Sequence, residues 1–254
     1  MVKGIEKFKE HFAGFDDKYI LIGGSACDLA MAEVGGDFRA TKDLDIVIVA
    51  ETLNPEFVTR FWEFIETGGY ESRQKSTGER RLYRFHSPTD DSFPYMIELF
   101  SRIPDAISYE GEGRYTPLPI GEEASSLSAL LMDHAYYELV HGGMIVIDGL
   151  PILRPEYIVL LKARAWLDLT ARRESGEIVN SNDIKKHKND PFRLFTILSP
   201  ELRLEISEPV RSDFEKFLEG MSGESIDLHN LGIRDMDLAE VIRNFRQIYG
   251  IDDS

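Results

Sequence analysis

Two short stretches hold residues whose types and spacing suit phosphate chemistry. Residues 19–34, "YILIGGSACDLAMAEV", place Gly23-Gly24-Ser25 at the end of an apolar run. Residues 42–49, "KDLDIVIV", place Asp43 and Asp45 at the start of another. Because successive side chains of a strand alternate between its faces, both carboxylates project to the same side. Two carboxylates so close together are costly unless a cation or a shared proton compensates.

A magnesium site would explain this acidic pair. Two ions about 3.5 to 4 Å apart, bridged by carboxylates, activate an attacking hydroxyl and stabilise the leaving oxygen of a phosphoryl displacement. A third carboxylate from a neighbouring strand would complete the oxygen ligands. Glu98 is the acidic residue inside the downstream apolar run "YMIELF". We therefore predict Asp43, Asp45 and Glu98 as catalytic metal ligands, with two Mg²⁺ ions as cofactors.

Gly23 and Gly24 suit the binding of phosphate instead of metal. Gly23-Gly24-Ser25 lies between a predicted strand and a predicted helix, for which Ser25 is the expected N-cap. Absent side chains let backbone N–H groups and the helix N-terminus approach a phosphate, and the Ser25 hydroxyl adds a hydrogen bond. The spacing matches neither the dinucleotide-binding fingerprint nor the P-loop. Either signal alone is more often a turn or a tight connection, so the interpretation depends on their order in the chain.

Composition limits the class of protein. The chain has 254 residues, 43% of them hydrophobic, which is enough for a proper core in one large domain or two modest ones. Its formal charge of −16 works against binding a long nucleic acid over a broad surface. No apolar run reaches about 18 residues, the N-terminus interleaves Lys and Glu, and Cys27 is the single cysteine. We therefore expect a cytoplasmic protein with no membrane partner.

The pattern of elements predicts an α+β fold with a C-terminal helical domain. Helix, strand, helix, strand, helix and then several strands predict a mixed sheet with packed helices over residues 1–122. "YESRQ" and "RRLYRFH" predict a hairpin, in which Arg84 lies on a solvated face or on an acceptor-binding edge. Residues 123–254 are expected to be mainly helical, with a small hairpin turned at Asp148-Gly149. "SNDIKKHK" and "DPFRLFTIL" are predicted as separate helices.

The order strand, Gly-Gly-Ser, helix, "RATKDLDIVIV" and then a strand carrying Glu98 resembles the polymerase-beta-type nucleotidyltransferase superfamily. The motif of that superfamily is a Gly-Ser pair followed by Asp-x-Asp. The pattern "GGSA…R-x-T-K-D-L-D" is most similar to the AbiEii-type group, which includes toxins of toxin–antitoxin and phage-defence systems. The 17 residues between Ser25 and Asp43 exceed the expected spacing of minimal members, and a longer helix with a Gly35-Gly36 turn absorbs the difference.

The resemblance implies transfer of a nucleotidyl group from an NTP to a hydroxyl on RNA, such as tRNA, on protein or on a small molecule. A cognate antitoxin is an implied partner. The nucleotide-binding residues that follow are Gly23, Gly24, Ser25, Arg39, Lys42, Lys162 and Asp183. Lys162 and Asp183 correspond to a lysine and an aspartate of later family motifs, with Asp183 orienting Lys162 through an ion pair.

Two alternatives stay open. A lysine that interrupts an apolar stretch is either a snorkelling surface residue or a partly buried charge with a purpose, so Lys162 has two interpretations. The whole protein is either an enzyme or a non-catalytic nucleotide- or partner-binding module on the same fold. The three clustered carboxylates favour the enzyme, because a pure binder gains nothing from clustered negative charge.

Overall fold

The computed structural model describes residues 2–72, 83–100 and 133–251. Within them lie eight helices: α1 Ile5–His11, α2 Gly23–Glu33, α3 Pro55–Gly68, α4 His134–Gly142, α5 Pro155–Glu174, α6 Ser181–Phe195, α7 Glu208–Met221 and α8 Leu238–Ile248. The strands are β1 Tyr19–Ile22, β2 Asp43–Ile48, β3 Glu71–Ser72, β4 Tyr83–His86, β5 Met96–Phe100, β6 Met144–Ile147 and β7 Leu150–Leu153. Short 3₁₀ turns span Ala50–Thr52 and His229–Leu231. The expected α+β class is confirmed.

The strands form one mixed sheet in the order β3-β4-β5-β2-β1-β7-β6. β1 is antiparallel to β2 and parallel to β7, and β2 is parallel to β5. Hairpins join β3 to β4 and β6 to β7. The turn of the first hairpin lies outside the described residues, and the second turns at Asp148-Gly149, where both residues have positive φ as a tight hairpin turn requires. β2 is central, as its apolar character predicts.

The two faces of the sheet differ in chemistry. One face meets α1 and α3 through an aromatic core, in which the Tyr19 ring lies 5.3 Å from Phe8 and Phe85 lies 5.7 Å from Trp62. In the antiparallel register of β1 and β2, Tyr19 lies opposite Ile48 and Ile22 lies opposite Asp45. Tyr19 and Ile22 are three residues apart and so face opposite sides. The carboxylates of β2 therefore lie on the face opposite the aromatic core.

Helix α2 begins three residues earlier than the sequence predicts. Gly23 is its first residue and Ile22 is its N-cap, without any side-chain cap hydrogen bond. The expected N-cap role of Ser25 is therefore wrong. Ser25 lies inside the first turn, where its hydroxyl donates to the carbonyl oxygen of Ile22 at 3.1 Å. This inward hydrogen bond fits a serine that is fully buried.

The chain divides into two compact units, residues 1–154 and 155–254. The expected boundary lies outside the described residues, and α4 with the β6–β7 hairpin belongs to the first unit. The physical reason is strand pairing, since β7 extends the sheet next to β1. Among the described residues, no helix is both long and apolar enough to cross a membrane.

The second unit, residues 155–254, is helical and contains α5 to α8 in its described part. Aromatic side chains from α6, α7 and α8 form its core, with Phe192 5.8 Å from Phe245 and Phe214 4.6 Å from Tyr249. The two helices expected at 181–188 and 190–198 are one continuous helix, α6, with Pro191 inside it. Tertiary packing thus overrides the tendency of proline to end a helix, because Pro191 itself is buried in this core.

Candidate functional site

Parallel pairing of β2 with β5 brings the predicted carboxylates together. Asp45 is the register partner of Glu98, and Asp43 lies two residues before Asp45 on the same face. All three side chains are only partly exposed. Neighbouring strands of a sheet lie about 4.7–4.9 Å apart, so the side chains of register partners are close enough for their charges to interact. The face opposite the aromatic core therefore carries a compact acidic group at the centre of the sheet.

The burial of Glu98 and its closeness to the other two carboxylates change its pKa. Burial is the main cause that raises the pKa of Glu98 from 4.5 to about 7, and the charges of Asp45 and Asp43 raise it further. The charge and hydrogen bond of Arg84 act in the opposite direction. Near neutral pH the Glu98 carboxyl is therefore poised between its protonated and ionised forms.

Arg84 is the neighbour that the predicted site lacked. It lies on β4 as the register partner of Glu98, and its guanidinium forms an ion pair with the Glu98 carboxylate. The Arg84 side chain is 43% exposed, whereas that of Glu98 is 15% exposed. The alternation of "RRLYRFH" put Arg84 on one face of a hairpin, but only the order β4-β5-β2 shows that this is the acidic face.

The start of α2 lies directly against Asp45. Gly23 has a φ of +64°, and a Cβ atom there would lie 1.9 Å from the Asp45 Oδ2 atom. A Cβ atom on Gly24 would lie 2.7 Å from the Thr41 hydroxyl oxygen. Only glycine fits at position 23, for reasons of backbone conformation and of space. The first-turn backbone N–H groups of α2 and a carboxylate of β2 are thus neighbours.

Arg39 and Lys42 lie in the segment that connects α2 to β2. The Arg39 guanidinium lies 5.2 Å from the ring of Phe38, and the Lys42 ammonium lies 5.8 Å from the ring of Tyr95. Arg39 is half-exposed and Lys42 is exposed. The segment leads directly into Asp43, so both cations belong to the same unit and the same connection as the acidic group.

Lys162 and Asp183 lie in the helical unit and do not form the expected ion pair with each other. Lys162 on α5 is buried, and its ammonium lies 3.4 Å from the Asp190 Oδ2 atom on α6. Asp183 instead pairs with Lys186 one turn along α6, at 3.6 Å. Lys162 is therefore not a snorkelling surface lysine, and the expectation that Asp183 orients it is wrong. A binding role for either residue stays a prediction.

The donor set fits magnesium in its chemistry, since carboxylate oxygens are the ligands that this ion takes. The Asp45 carboxylate occupies the space that a side chain at position 23 would take. Among the described residues, however, no three Asp, Glu, His or Cys side chains already converge as ligands. In this arrangement Arg84 engages the Glu98 carboxylate in an ion pair. Metal binding at Asp43, Asp45 and Glu98 would require Glu98 to share or leave that contact.

The sequence matches no protein-family model and no curated protein. Its fold is similar to the crystal structure of an antigenic nucleotidyltransferase-like protein from Paracoccidioides brasiliensis, with 14% identity, a TM-score of 0.45 and coverage of 94% of this chain and 93% of that one. It is also similar to JHP933 from Helicobacter pylori, with 17% identity, a TM-score of 0.31 and coverage of 96% and 86%. Both likenesses are too distant to assign a function to this chain.

Proposed function

We propose that this protein is a magnesium-dependent nucleotidyltransferase, which moves a nucleotidyl group from an NTP to a hydroxyl acceptor. One observation carries the proposal: the glycine-rich start of α2 abuts Asp45, the register partner of Glu98. Phosphate-binding backbone and acidic side chains on one site are what phosphoryl-transfer chemistry needs. The sequence motif and the contact in space thus agree on the same residues.

The residues of this chain have distinct roles in the proposed reaction. Asp43, Asp45 and Glu98 would hold Mg²⁺, and Gly23, Gly24 and the first turn of α2 would bind the triphosphate. Bound Mg²⁺ supplies positive charge against the phosphate oxygens. Arg39 and Lys42 are further cations for the triphosphate in the same unit. Ser25 contributes by fixing the first turn of α2 through its hydrogen bond to Ile22.

Glu98 is suited to a second role as proton acceptor. The acceptor hydroxyl oxygen attacks the α-phosphorus, pyrophosphate leaves, and the hydroxyl proton passes to the Glu98 carboxylate. In the metal-free protein burial raises the pKa of Glu98 to about 7; bound Mg²⁺ would lower it and favour the ionised form, which is the form that can accept a proton. Arg84 would orient the Glu98 carboxylate before the acceptor arrives.

The finer assignment rests on the sequence pattern "GGSA…R-x-T-K-D-L-D". It suggests a toxin of the AbiEii type, with RNA such as tRNA, or a protein, as acceptor and with a cognate antitoxin as partner. The charge of −16 is unfavourable for wrapping an extended RNA, so contact with an RNA acceptor would be confined to the neighbourhood of its reacting end.

A binding module without catalysis is the second candidate, and the Arg84–Glu98 ion pair favours it. An arginine that permanently engages the third carboxylate would leave the glycine-rich helix start able to bind a nucleotide but unable to promote transfer. The two candidates can be distinguished by measurement, because only the enzyme transfers a nucleotidyl group, and this transfer requires Asp45.

The test compares Asp45→Asn with Asp16→Asn. Asp16 precedes β1, whereas Asp45 lies beside the last residue of β1, so Asp16 is a control away from the site. Wild type should transfer label from α-labelled NTPs to total cellular RNA or protein, and should bind a non-hydrolysable NTP with magnesium in calorimetry. Asp45→Asn should reduce transfer to background without lowering the melting temperature, because the amide keeps the shape and loses the charge. Asp16→Asn should behave as wild type.

Undiminished transfer by Asp45→Asn would overturn the magnesium-dependent mechanism. Nucleotide binding by wild type without any labelling of either acceptor pool would instead support the binding module.

A further inference from the structure

The helical unit contains a cavity of about 360 Å³ that the proposed function does not use. It is open to solvent and is lined by the C-terminal half of α5, the first half of α6 and the segment after α7, through residues that include Trp166, Arg173, Lys185 and Ser225. Small-molecule sites in proteins measure about 300–1,000 Å³, so this cavity is large enough for a compact ligand.

The charged residues around the cavity differ in whether they form ion pairs. Glu224 and Asp227 line it; Lys188 forms a 2.7 Å ion pair with Glu224, whereas the partners of Asp227 are the uncharged backbone N–H and side-chain amide of Asn230. Arg173 and Lys185 also line the cavity and are exposed. These two form no ion pair with any residue of 2–72, 83–100 or 133–251. Although the net charge of the protein is −16, two exposed cations thus line the same cavity.

Two further features favour an anion with an attached apolar or planar group. Ser181, the first residue of α6, lines the cavity, so the helix N-terminus adds partial positive charge there. Trp166 forms an apolar wall and is held rigidly, with its ring 5.6 Å from Phe217. A Cβ atom on Gly220 would come within 2.8 Å of the Trp166 ring, so the indole is packed directly against α7.

We propose that this cavity binds a nucleoside monophosphate or a similar small phosphomonoester, independently of the nucleotidyl-transfer site. Arg173 and Lys185 contact the phosphate dianion together with the start of α6, and the organic part lies against Trp166. A phosphomonoester fits better than a single carboxylate because two cations and a helix N-terminus line the same cavity.

The experiment titrates AMP into the full chain in the presence of EDTA, so that no magnesium loads the other site. Wild type should bind AMP, inorganic phosphate should compete, and adenosine should not bind. Arg173→Gln/Lys185→Gln should raise the AMP dissociation constant about tenfold or more, since two charge-assisted contacts are lost. Lys186→Gln is the matched control, because Lys186 pairs with Asp183, and should change the constant less than about twofold.

Asp45→Asn should bind AMP as wild type does, which separates this site from the proposed active site. Absence of saturable AMP binding at about 1 mM would overturn the proposal, as would equal affinities in wild type and Arg173→Gln/Lys185→Gln. An oligonucleotide without a terminal phosphate that binds here more tightly than AMP would also overturn it, and would assign the cavity to a phosphodiester backbone. Circular dichroism of the double variant checks that the fold is kept.

Discussion

At the scale of single residues, Gly23 and Asp45 are packed directly against each other in the candidate site. The three atoms nearest to a Cβ at position 23 all belong to the Asp45 side chain. The backbone there is also left-handed, which disfavours any residue with a Cβ by about 1–2 kcal/mol. The contact and the conformation therefore impose two separate costs on substitution.

Gly14 allows those two costs to be separated. Its φ is +86°, and nothing lies within 4 Å of its Cβ position. Gly14→Ala should lower the free energy of unfolding by about 1 kcal/mol, and Gly23→Ala by about 3 kcal/mol or more, because the second variant also displaces Asp45. In an Asp45→Ala background, Gly23→Ala should cost no more than Gly14→Ala. Urea denaturation of wild type and these four variants measures this, and equal costs for both glycines would contradict the contact.

Glu98 makes a pH-dependent contribution to stability. Its pKa is raised on folding from 4.5 to about 7, so the folded state holds a proton that the unfolded state has already released. The native state is favoured below about pH 4.5 and loses that advantage as the pH rises toward 7. The exposed guanidinium of Arg84 offsets little of this loss, since partly exposed ion pairs are worth about 0–1 kcal/mol.

Glu98→Gln should therefore gain stability relative to wild type as the pH rises from 4 to 8, in metal-free buffer. We expect the melting-temperature difference to move in favour of the variant by several degrees, on the order of 3 kcal/mol. Differential scanning calorimetry at the two pH values measures it. A variant less stable than wild type at pH 8 would show that Glu98 serves mainly as the structural partner of Arg84.

At the scale of elements, α5 and α6 are joined by a buried charge cluster. Asp190 is fully buried between Lys162, at 3.4 Å, and Arg193, at 3.5 Å. The cluster lies next to Pro191 on the continuous helix α6. A buried charge that loses one partner is strongly destabilising, so this cluster fixes how α5 and α6 pack.

Lys162→Met keeps the volume of the side chain and removes its charge. It should lower the free energy of unfolding by about 2–3 kcal/mol, less than the full cost of orphaning a buried charge because Arg193 remains. Lys186→Met, which breaks the exposed pair with Asp183, should cost less than about 0.5 kcal/mol. Denaturation followed by far-ultraviolet circular dichroism compares the two, and similar costs would mean that Lys162 is solvated.

The same variant bears on nucleotide binding. An unaltered affinity for a non-hydrolysable NTP in folded Lys162→Met would confine Lys162 to this structural role.

At the scale of the whole molecule, β7 sets the limits of the first unit. It pairs with β1, and its hairpin partner β6 ends the sheet. A fragment of residues 1–122 lacks both strands and exposes the backbone of β1, a strand that is buried along its whole length. Unpaired apolar edges favour association between molecules.

A fragment of residues 1–154 should therefore be folded and monodisperse, whereas a fragment of residues 1–122 should aggregate or remain unfolded. Size-exclusion chromatography and circular dichroism of the two fragments test this. A monodisperse, folded 1–122 fragment would place the boundary where the composition of the chain changes instead of where strand pairing ends.

The sequence by itself determined the elements of the site and their order. The strand before Gly23, the helix after it, the central strand that begins with Asp43 and the strand that carries Glu98 all have strong local signals: apolar runs, glycines and alternation. Their α+β class followed from the same order. The residues were predictable because each signal lies within one element or at its end.

Only the tertiary structure decided which residues meet. The order of the strands brings Arg84 next to Glu98. The packing of α5 on α6 pairs Lys162 with Asp190 instead of Asp183. Helix α6 continues through Pro191 because that residue is buried in the core of the helical unit. The hairpin at Asp148-Gly149 was predicted, but its place beside β1 in the first unit was not. Pairing between distant strands and helices depends on the burial and charge that many elements share, and no single stretch of sequence contains that information.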